Sequence, residues 1–378
     1  MRSSLGVVFC KVENGLTYDP NNSEGLPVTR IETISDRSIN YKRVGYAKDD
    51  GKLSKYKMEP GDILFSHINS LKHIGKTAYY DGEHPLYHGM NLLLLRTTNE
   101  ESARFLFYQL NTSRFLHRCQ VLANQAVNQA SINTRELKGI TLHKPSIKEQ
   151  IKIADFISLL DNRIATQIKI IEKLESLIRG LITDVNSGRI AQCKSVYLRD
   201  LLIEQHEKNT NNYEVCSVSV SQGVINQIDY LGRSFAAKEV LHYNVVNCGD
   251  IVYTKSPTGE FPYGIVKRSD ITKPVAVSPL YGVYRPINDY VGKYLHLYFK
   301  SPINAKNYLH KLIQKGAKNT INITNQHFLD NKILIPEKGW LENIVNFAAA
   351  IEMKIATENK VLQTLQQQKD YLLSKMFI

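Results

Sequence analysis

The stretch from Ser146 to Gly188 reads SIKEQIKIADFISLLDNRIATQIKIIEKLESLIRGLITDVNSG. Its apolar residues Ile153, Ile157, Leu160, Ile164, Ile171, Leu174, Ile178, Leu181 and Val185 keep an alternating spacing of four and three, interrupted only at Gln167. Sustained over about five heptads, that period marks a coiled-coil seam, not the broader apolar face of a surface helix. The start is signalled as well. Ser146 and Glu149, directly after Pro145, form a capping-box pattern: the hydroxyl accepts from the N3 amide while the carboxylate reaches back to the cap. Gly188 offers a left-handed stop. Roughly 39 helical residues rising about 1.5 Å each make a rod of about 58 Å.

The signal returns at the end of the chain. Ile344, Ala348, Ile351, Ile355, Leu362, Leu365, Leu372 and Met376 repeat the spacing, with breaks at Glu358, the counterpart of Gln167, and at Lys369. Arg163-Ile164-Ala165-Thr166-Gln167 comes back as Lys354-Ile355-Ala356-Thr357-Glu358, and Pro145 as Pro336. Gly61-Asp62-Ile63-Leu64-Phe65 comes back as Gly249-Asp250-Ile251-Val252-Tyr253. The interval of about 190 residues far exceeds the 20–50 of a solenoid repeat and equals a whole domain with its helix.

An α+β fold follows: two similar mixed lobes, residues 1–145 and 191–336, and two helical regions, residues 146–190 and 337–378. The first lobe shows short strand-like runs at Leu26–Ile31, Asp62–Phe65 and Leu92–Leu95, a helical pattern over Ala103–Cys119 and a closing strand at Ile140–Leu142. In the second, Val215–Val218 stands where Val28–Ile31 stood, and Tyr294–Leu312 replaces the helical stretch. The two rods are expected to pair antiparallel within one chain, giving a pseudo-two-fold molecule. An unpaired rod would expose a continuous apolar stripe, and duplication supplies the partner at high effective concentration. Pairing with a second chain is the alternative. The pairing residues are Ile157, Leu160, Ile164, Gln167, Ile171, Leu174 and Ile178 on one rod, and Ile351, Ile355, Glu358, Leu362 and Leu365 on the other. Gln167 is expected near Glu358, a polar seam position that fixes register.

Composition narrows the class. The chain has 378 residues, 43% hydrophobic and 22% charged. No run approaches the 18 apolar residues of a membrane span, and Met1–Ser4 leads into no apolar signal segment. Cys10, Cys119, Cys193, Cys216 and Cys248 are scattered with no C-x-x-C pair, which indicates neither zinc nor a disulfide framework and fits reduced thiols in a cytoplasm. The net charge of +12 divides as +5 in residues 1–145, +1 in 146–190, +6 in 191–336 and zero in 337–378. The excess therefore sits on the lobes, as phosphate neutralisation on a polyanion requires.

Catalytic motifs do not assemble. Ile74-Gly75-Lys76-Thr77 ends like a phosphate-binding loop, but Ser70 stands where that motif needs its first glycine, which leaves a turn with a basic tip. There is no Asn-Pro-Pro-aromatic tetrapeptide of an amino-methyltransferase, and Glu358-Asn359-Lys360 has nuclease spacing but lies in the heptad helix. His84 and His88 are separated by Pro85, which favours a loop over a helical metal pair. Four polar, basic stretches carry the binding reading instead. After the first Gly-Asp strand stand Ser66, His67, Asn69, Ser70, Lys72, His73 and Lys76; after the second stand Lys255, Ser256, Thr258, Lys267 and Arg268. Before each closing strand lie Asn124, Gln125, Asn128 and Gln129, then Lys315, Lys318, Asn319 and Thr320. Asn and Gln suit bidentate adenine contacts, while Lys suits phosphate and guanine. Recurrence at matching places with different residues is what reading two different half-sites requires.

On Val28-Thr29-Arg30-Ile31, Gly61-Asp62-Ile63-Leu64-Phe65, Ile74-Gly75-Lys76, Asn128-Gln129-Ala130-Ser131-Ile132 and Pro145-x3-Glu149-Gln150, the whole chain resembles a specificity subunit of Type I restriction-modification systems. It departs at Leu5-Gly6, which lacks the family's short lead-in and tryptophan, and at Pro336-Glu337-Lys338-Gly339-Trp340, which lacks the Glu-Gln pair. The resemblance implies a non-catalytic subunit with two target-recognition domains reading a bipartite double-stranded DNA sequence. It implies docking of two modification (methyltransferase) subunits that carry S-adenosylmethionine, with no cofactor on this chain, and of restriction subunits where the system has them. A stand-alone DNA-binding or architectural protein dimerising through its coiled coil, and a nuclease, are the competing classes.

Overall fold

The computed structural model describes residues 2–35, 37–126, 129–231, 239–315 and 321–377. It resolves into two compact units, residues 1–168 with 360–378, and residues 169–359.

In the first unit a four-stranded antiparallel sheet runs Phe9–Asn14, Leu93–Thr97, Ile63–Phe65, Thr77–Tyr79 in spatial order. Side chains alternate across a strand, and the two central strands are buried on both faces, so Ile63–Phe65 and Leu93–Leu95 read as unbroken apolar runs. Ile63, Phe65, Leu93 and Leu95 join Phe105, Tyr108 and Phe115 in one core. Leu64, Ala78 and Leu94 join Met58, Tyr80 and Leu86 in another. The second unit repeats the order with Leu202–Glu204, Gly282–Pro286, Ile251–Tyr253 and Val266–Arg268. Its alternation is the same: Ile251, Tyr253 and Tyr284 on the helix side, Val252 and Val283 on the other.

Each sheet is followed by two helices, where the sequence pattern had shown one. Ala103–Leu110 and Ser113–Leu122 part at Asn111, whose Nδ2 donates to Thr77 Oγ1 and to Phe107 O, both at 2.7 Å. Thr112 then caps the second helix by accepting from Phe115 N. Asp289–Phe299 and Pro302–His310 repeat the arrangement, capped by Asn288 and Ser301. The strand at Leu26 ends at Val28, before Ile31–Thr33, because Thr33 Oγ1 accepts from Arg30 N at 2.8 Å and turns the chain into a 3-10 helix.

The long helices span Ile147–Asn186 and Lys338–Met376. The first opens with the expected box: Glu149 N donates to Ser146 Oγ at 3.4 Å and Ser146 N to Glu149 Oε2 at 3.0 Å. It closes at Gly188, with φ of 72°. In the first unit, Ala154 and Ile157 share a core with Leu373 and Phe377 near the end of the second helix. In the second unit, Ile178, Ile182 and Val185 share a core with Leu341, Ile344, Val345, Ala348 and Ile351 near its start. Early residues meet late ones, so the helices pair antiparallel within the chain. Ile157, Gln167, Ile171, Ile178, Ile351 and Leu365 are buried; Leu160, Ile164, Leu174, Ile355, Glu358 and Leu362 are half-buried. Glu358 also takes Lys354 Nζ one turn back, at 2.5 Å.

Candidate nucleic-acid interface

Each polar loop hangs from a Gly-Asp turn, and the geometry shows why that pair recurs. Gly61 adopts φ of 98° and Gly249 φ of 92°, values that a side chain resists. The buried Asp62 accepts Glu59 N at 2.7 Å and takes both Nε and Nη2 of Arg96, each at 2.7 Å. Asp250 likewise accepts Asn247 N at 2.8 Å and Arg285 Nε at 3.3 Å. The Asp62 carboxylate, more than burial opposes it, raises the pKa of Arg96 and so holds the guanidinium charged. An acidic turn clamped by an arginine of the neighbouring strand thus fixes where each loop begins. Sequence reading missed both arginines, which carry no motif of their own.

Beyond this turn in the first unit, Ser66 N donates to Lys76 O at 2.8 Å and Gly75 N to Ser66 O at 2.9 Å, closing the intervening residues into a compact loop. Ser66 and His67, expected at the reading surface, lie buried at its base. Asn69 Nδ2 donates to Ser66 Oγ, and His67 Nε2 faces Asn14 Nδ2 at 3.2 Å. Burial pushes the His67 imidazole down to about 4, so it stays neutral and supports the loop. The outer part is different. Ser70, Lys72 and Lys76 are exposed, Asn69 and His73 half-buried. Lys72 and Lys76 make no ion pair among the described residues. Partial burial, then the charges of Lys76 and Lys72, hold His73 below its ordinary value.

The two candidate stretches of this unit meet. Ile68–Asn69 pairs with Gln129–Ser131, setting Ala130 opposite Asn69, and Gln129–Ser131 pairs with Asn124–Ala126. Exposed Asn124, Gln125 and Gln129 therefore share one small three-stranded sheet with Asn69 and its basic loop. Asn128 lies outside the described residues.

The second unit divides its candidates. Ser256 and Thr258 are exposed on a tight turn closed by the backbone pair of Thr258 and Phe261, with Lys255 half-buried behind them. Lys267 is buried at 3% exposure, and Arg268 is engaged by Asp270 and by Asp289, the latter at 2.6 Å. Both are edge-strand residues of Val266–Arg268, where alternation turns a Lys inward, so neither is presented on the loop as expected. Gln314–Lys315 pairs with Ile321–Asn322. Lys318, Asn319 and Thr320 lie outside the described residues, as does the Lys315 side chain.

A second basic feature went unread. Arg2, Arg114, His117, Arg118 and His143 line a cavity of about 420 Å³ with no carboxylate in its wall. The helical spacing of Arg114 and Arg118 was its only sequence signal. The paired histidines His84 and His88 separate: His88 is buried against Glu13 O at 3.1 Å, while His84 sets its ring on Tyr41.

The same scaffold is built twice, with a clamped turn and an unlike polar loop in each unit. Residues 8–176 match the Type I restriction modification DNA specificity domain. A putative type I restriction enzyme MjaX specificity subunit of Methanocaldococcus jannaschii is 42% identical over 189 residues, which are 49% of this chain and 44% of that protein. The aligned stretch thus covers less than half of that relative's length. The fold is shared with the Type I restriction-modification S subunit from M. genitalium, at a TM-score of 0.58 and 13% identity over 100% of this chain and 96% of that one. A structure described as showing complex assembly and conformational transition of the type I R-M system gives 0.55 and 13%, over 99% and 96%. Over residues 8–176 this chain is similar to the DNA specificity domain of Type I restriction-modification systems, and over its whole length it shares the fold of the solved S subunit. Among the described residues no helix is long and apolar enough to cross a membrane.

Proposed function

We propose that this chain is the non-catalytic DNA-reading subunit of a Type I methylating or restricting complex in the cytoplasm. Each lobe reads one half of a bipartite duplex target, and the paired helices set the gap. The observation that carries this reading is the repetition of one strand order, helix pair and Gly-Asp turn in both units while the loops they hold diverge. Asn69, Ser70, Lys72, His73, Lys76, Asn124, Gln125, Gln129, Ser256 and Thr258 are the described contacts, with Asn and Gln toward bases and Lys toward phosphates.

Two modification subunits dock on the helical region, bringing S-adenosylmethionine; this chain holds no cofactor. Docking is supported by apolar side chains that turn away from the seam. Phe156 and Leu159 in one unit, and Phe347 and Met353 in the other, are 48–68% exposed, a cost to a lone protein that a partner surface removes. Restriction subunits join through the modification subunits where the system has them.

Methylation-aware sequencing of the host genome with and without this gene tests the proposal. Loss of one bipartite adenine-methylation motif is expected. An unchanged methylome, with the purified chain binding duplex alone as a dimer, favours an architectural role, and metal-dependent cleavage by the chain alone identifies a nuclease.

A further inference from the structure

Strand register places Lys267 opposite Val252 in the second unit and Ala78 opposite Leu64 in the first. The two positions are equivalent, and at Ala78 a methyl group, fully buried, satisfies the fold. Lys267 is therefore not required by the scaffold. It is 3% exposed and makes no hydrogen bond or ion pair among the described residues. A lysine buried to this degree, whose ammonium meets cavity space in place of a partner, is costly to keep charged, and a negative charge in that space offsets the cost.

Its surroundings are built for that charge. Lys267 and Lys300 line two cavities, of about 420 and 330 Å³. The larger is also walled by Ser301, the N-cap of the nine-residue helix Pro302–His310, which carries the positive end of the helix dipole; Pro302 has no N–H, and Asn304 N and Ala305 N donate to Ser301 Oγ and O, so the Ile303 N–H is what remains of the first turn. In the smaller, His296 Nδ1 accepts from Arg268 N at 3.2 Å, which leaves the ring proton on Nε2 as a donor. Among the wall carboxylates, Glu175 is taken by Arg179 and Asp270 by Arg268, leaving Glu260; beyond the wall, Glu352 Oε1 accepts from Lys300 Nζ at 3.2 Å, which leaves that ammonium two further donors.

We propose that the second unit contains a binding site for a phosphate-class oxyanion, centred on Lys267 with Lys300, Ser301 and His296 as the other donors. The anion restores the charge balance of the buried ammonium and ties the edge strand Val266–Arg268 to the helix start at Ser301. A free phosphate and a phosphate of the DNA backbone offer the same chemistry.

Calorimetric titration of the full chain with inorganic phosphate, against chloride at matched ionic strength, tests the site. Wild type is expected to bind phosphate. Lys267→Ala, which copies the first unit, and Lys300→Ala, at the surface, are expected to bind at least roughly tenfold more weakly, as loss of a charge-assisted hydrogen bond implies. Repeating the titration with excess mixed-sequence duplex separates the sources: phosphate binding that persists assigns a free anion, and binding that disappears assigns a backbone phosphate. No phosphate-specific heat in wild type, or folded Lys267→Ala and Lys300→Ala chains that titrate like wild type, overturns the site. Should Lys267→Ala fail to fold, Lys300→Ala decides alone.

Discussion

Gln150→Ala should be among the most damaging single substitutions outside the apolar cores. Gln150 is 1% exposed at the first turn of the long helix, where its amide joins helix to lobe through three bonds. Nε2 donates to Glu101 Oε2 at 2.7 Å and to Pro145 O at 3.1 Å, and Oε1 accepts from Ser102 N at 3.0 Å. Truncation leaves the Ser102 N–H without its acceptor and leaves the buried Glu101 carboxylate to Lys144 alone. One unsatisfied buried group costs about 1–3 kcal/mol, and the one lost buried methylene roughly 0.8 kcal/mol, which together give about 3 kcal/mol. Urea unfolding should show a lower midpoint at an unchanged slope. Glu149→Ala is the internal control: its carboxylate is exposed, its bonds are those of a cap alone, and a smaller loss is expected. If Gln150→Ala loses no more than Glu149→Ala, the amide does not join helix to lobe and the reasoning is wrong.

Other expectations follow from the same geometry. Asp62→Ala should destabilise by roughly 3 kcal/mol because it leaves the largely buried Arg96 to the exposed Glu59 alone, whereas Asp250→Ala should cost less because Arg285 is half-exposed and singly bonded; equal losses in denaturant unfolding would contradict this. Lys72→Ala and Lys76→Ala should each lower the slope of log affinity against log salt by about one unit without changing sequence preference, read by competition binding across a salt series. Burial, then the Lys300 charge, pushes Lys267 from 10.5 down to about 8, so the folded chain releases that proton before the unfolded chain does. The resulting destabilisation is complete below about pH 8 and fades toward 10.5, so any stability advantage of Lys267→Met over wild type should shrink across that window; a constant difference refutes it.

The helices and the duplication were legible because heptads and caps are local signals. Ile157, Ile178 and Ile351 sit on the seam that their spacing assigned, and Ser146 and Glu149 bond as their types and separation required. The break at Asn111-Thr112 was not legible, because the Asn111 amide reaches Thr77, 34 residues earlier, and only the folded sheet supplies that partner. The same limit governs the loops. Ser66 and Ser70 are one residue type in one polar run, yet the first is buried and the second exposed, because the turn closed by Ser66 and Gly75 divides them. Pairing of Asn69 with Ala130 likewise depends on sheet register, which no count of polar residues reports.

Comparison of the two units separates scaffold from reading surface better than either does alone. Where both need the same backbone, the residues agree in type: glycine at 61 and 249, aspartate at 62 and 250, arginine at 96 and 285. Where the positions differ, the fold tolerates the change, and a residue that costs stability there calls for another reason. Lys267 against Ala78 is such a case in the core, and the Ser66–Lys76 loop against the Lys255–Thr258 turn is such a case at the surface. Exchange of the 66–76 loop for its counterpart should therefore leave the Asp62–Arg96 clamp and the four-stranded sheet intact, while removing the pairing of Ile68–Asn69 with Gln129–Ser131 and changing what the first lobe recognises. Preserved stability with an altered half-site is the combination that a duplicated scaffold with divergent loops demands.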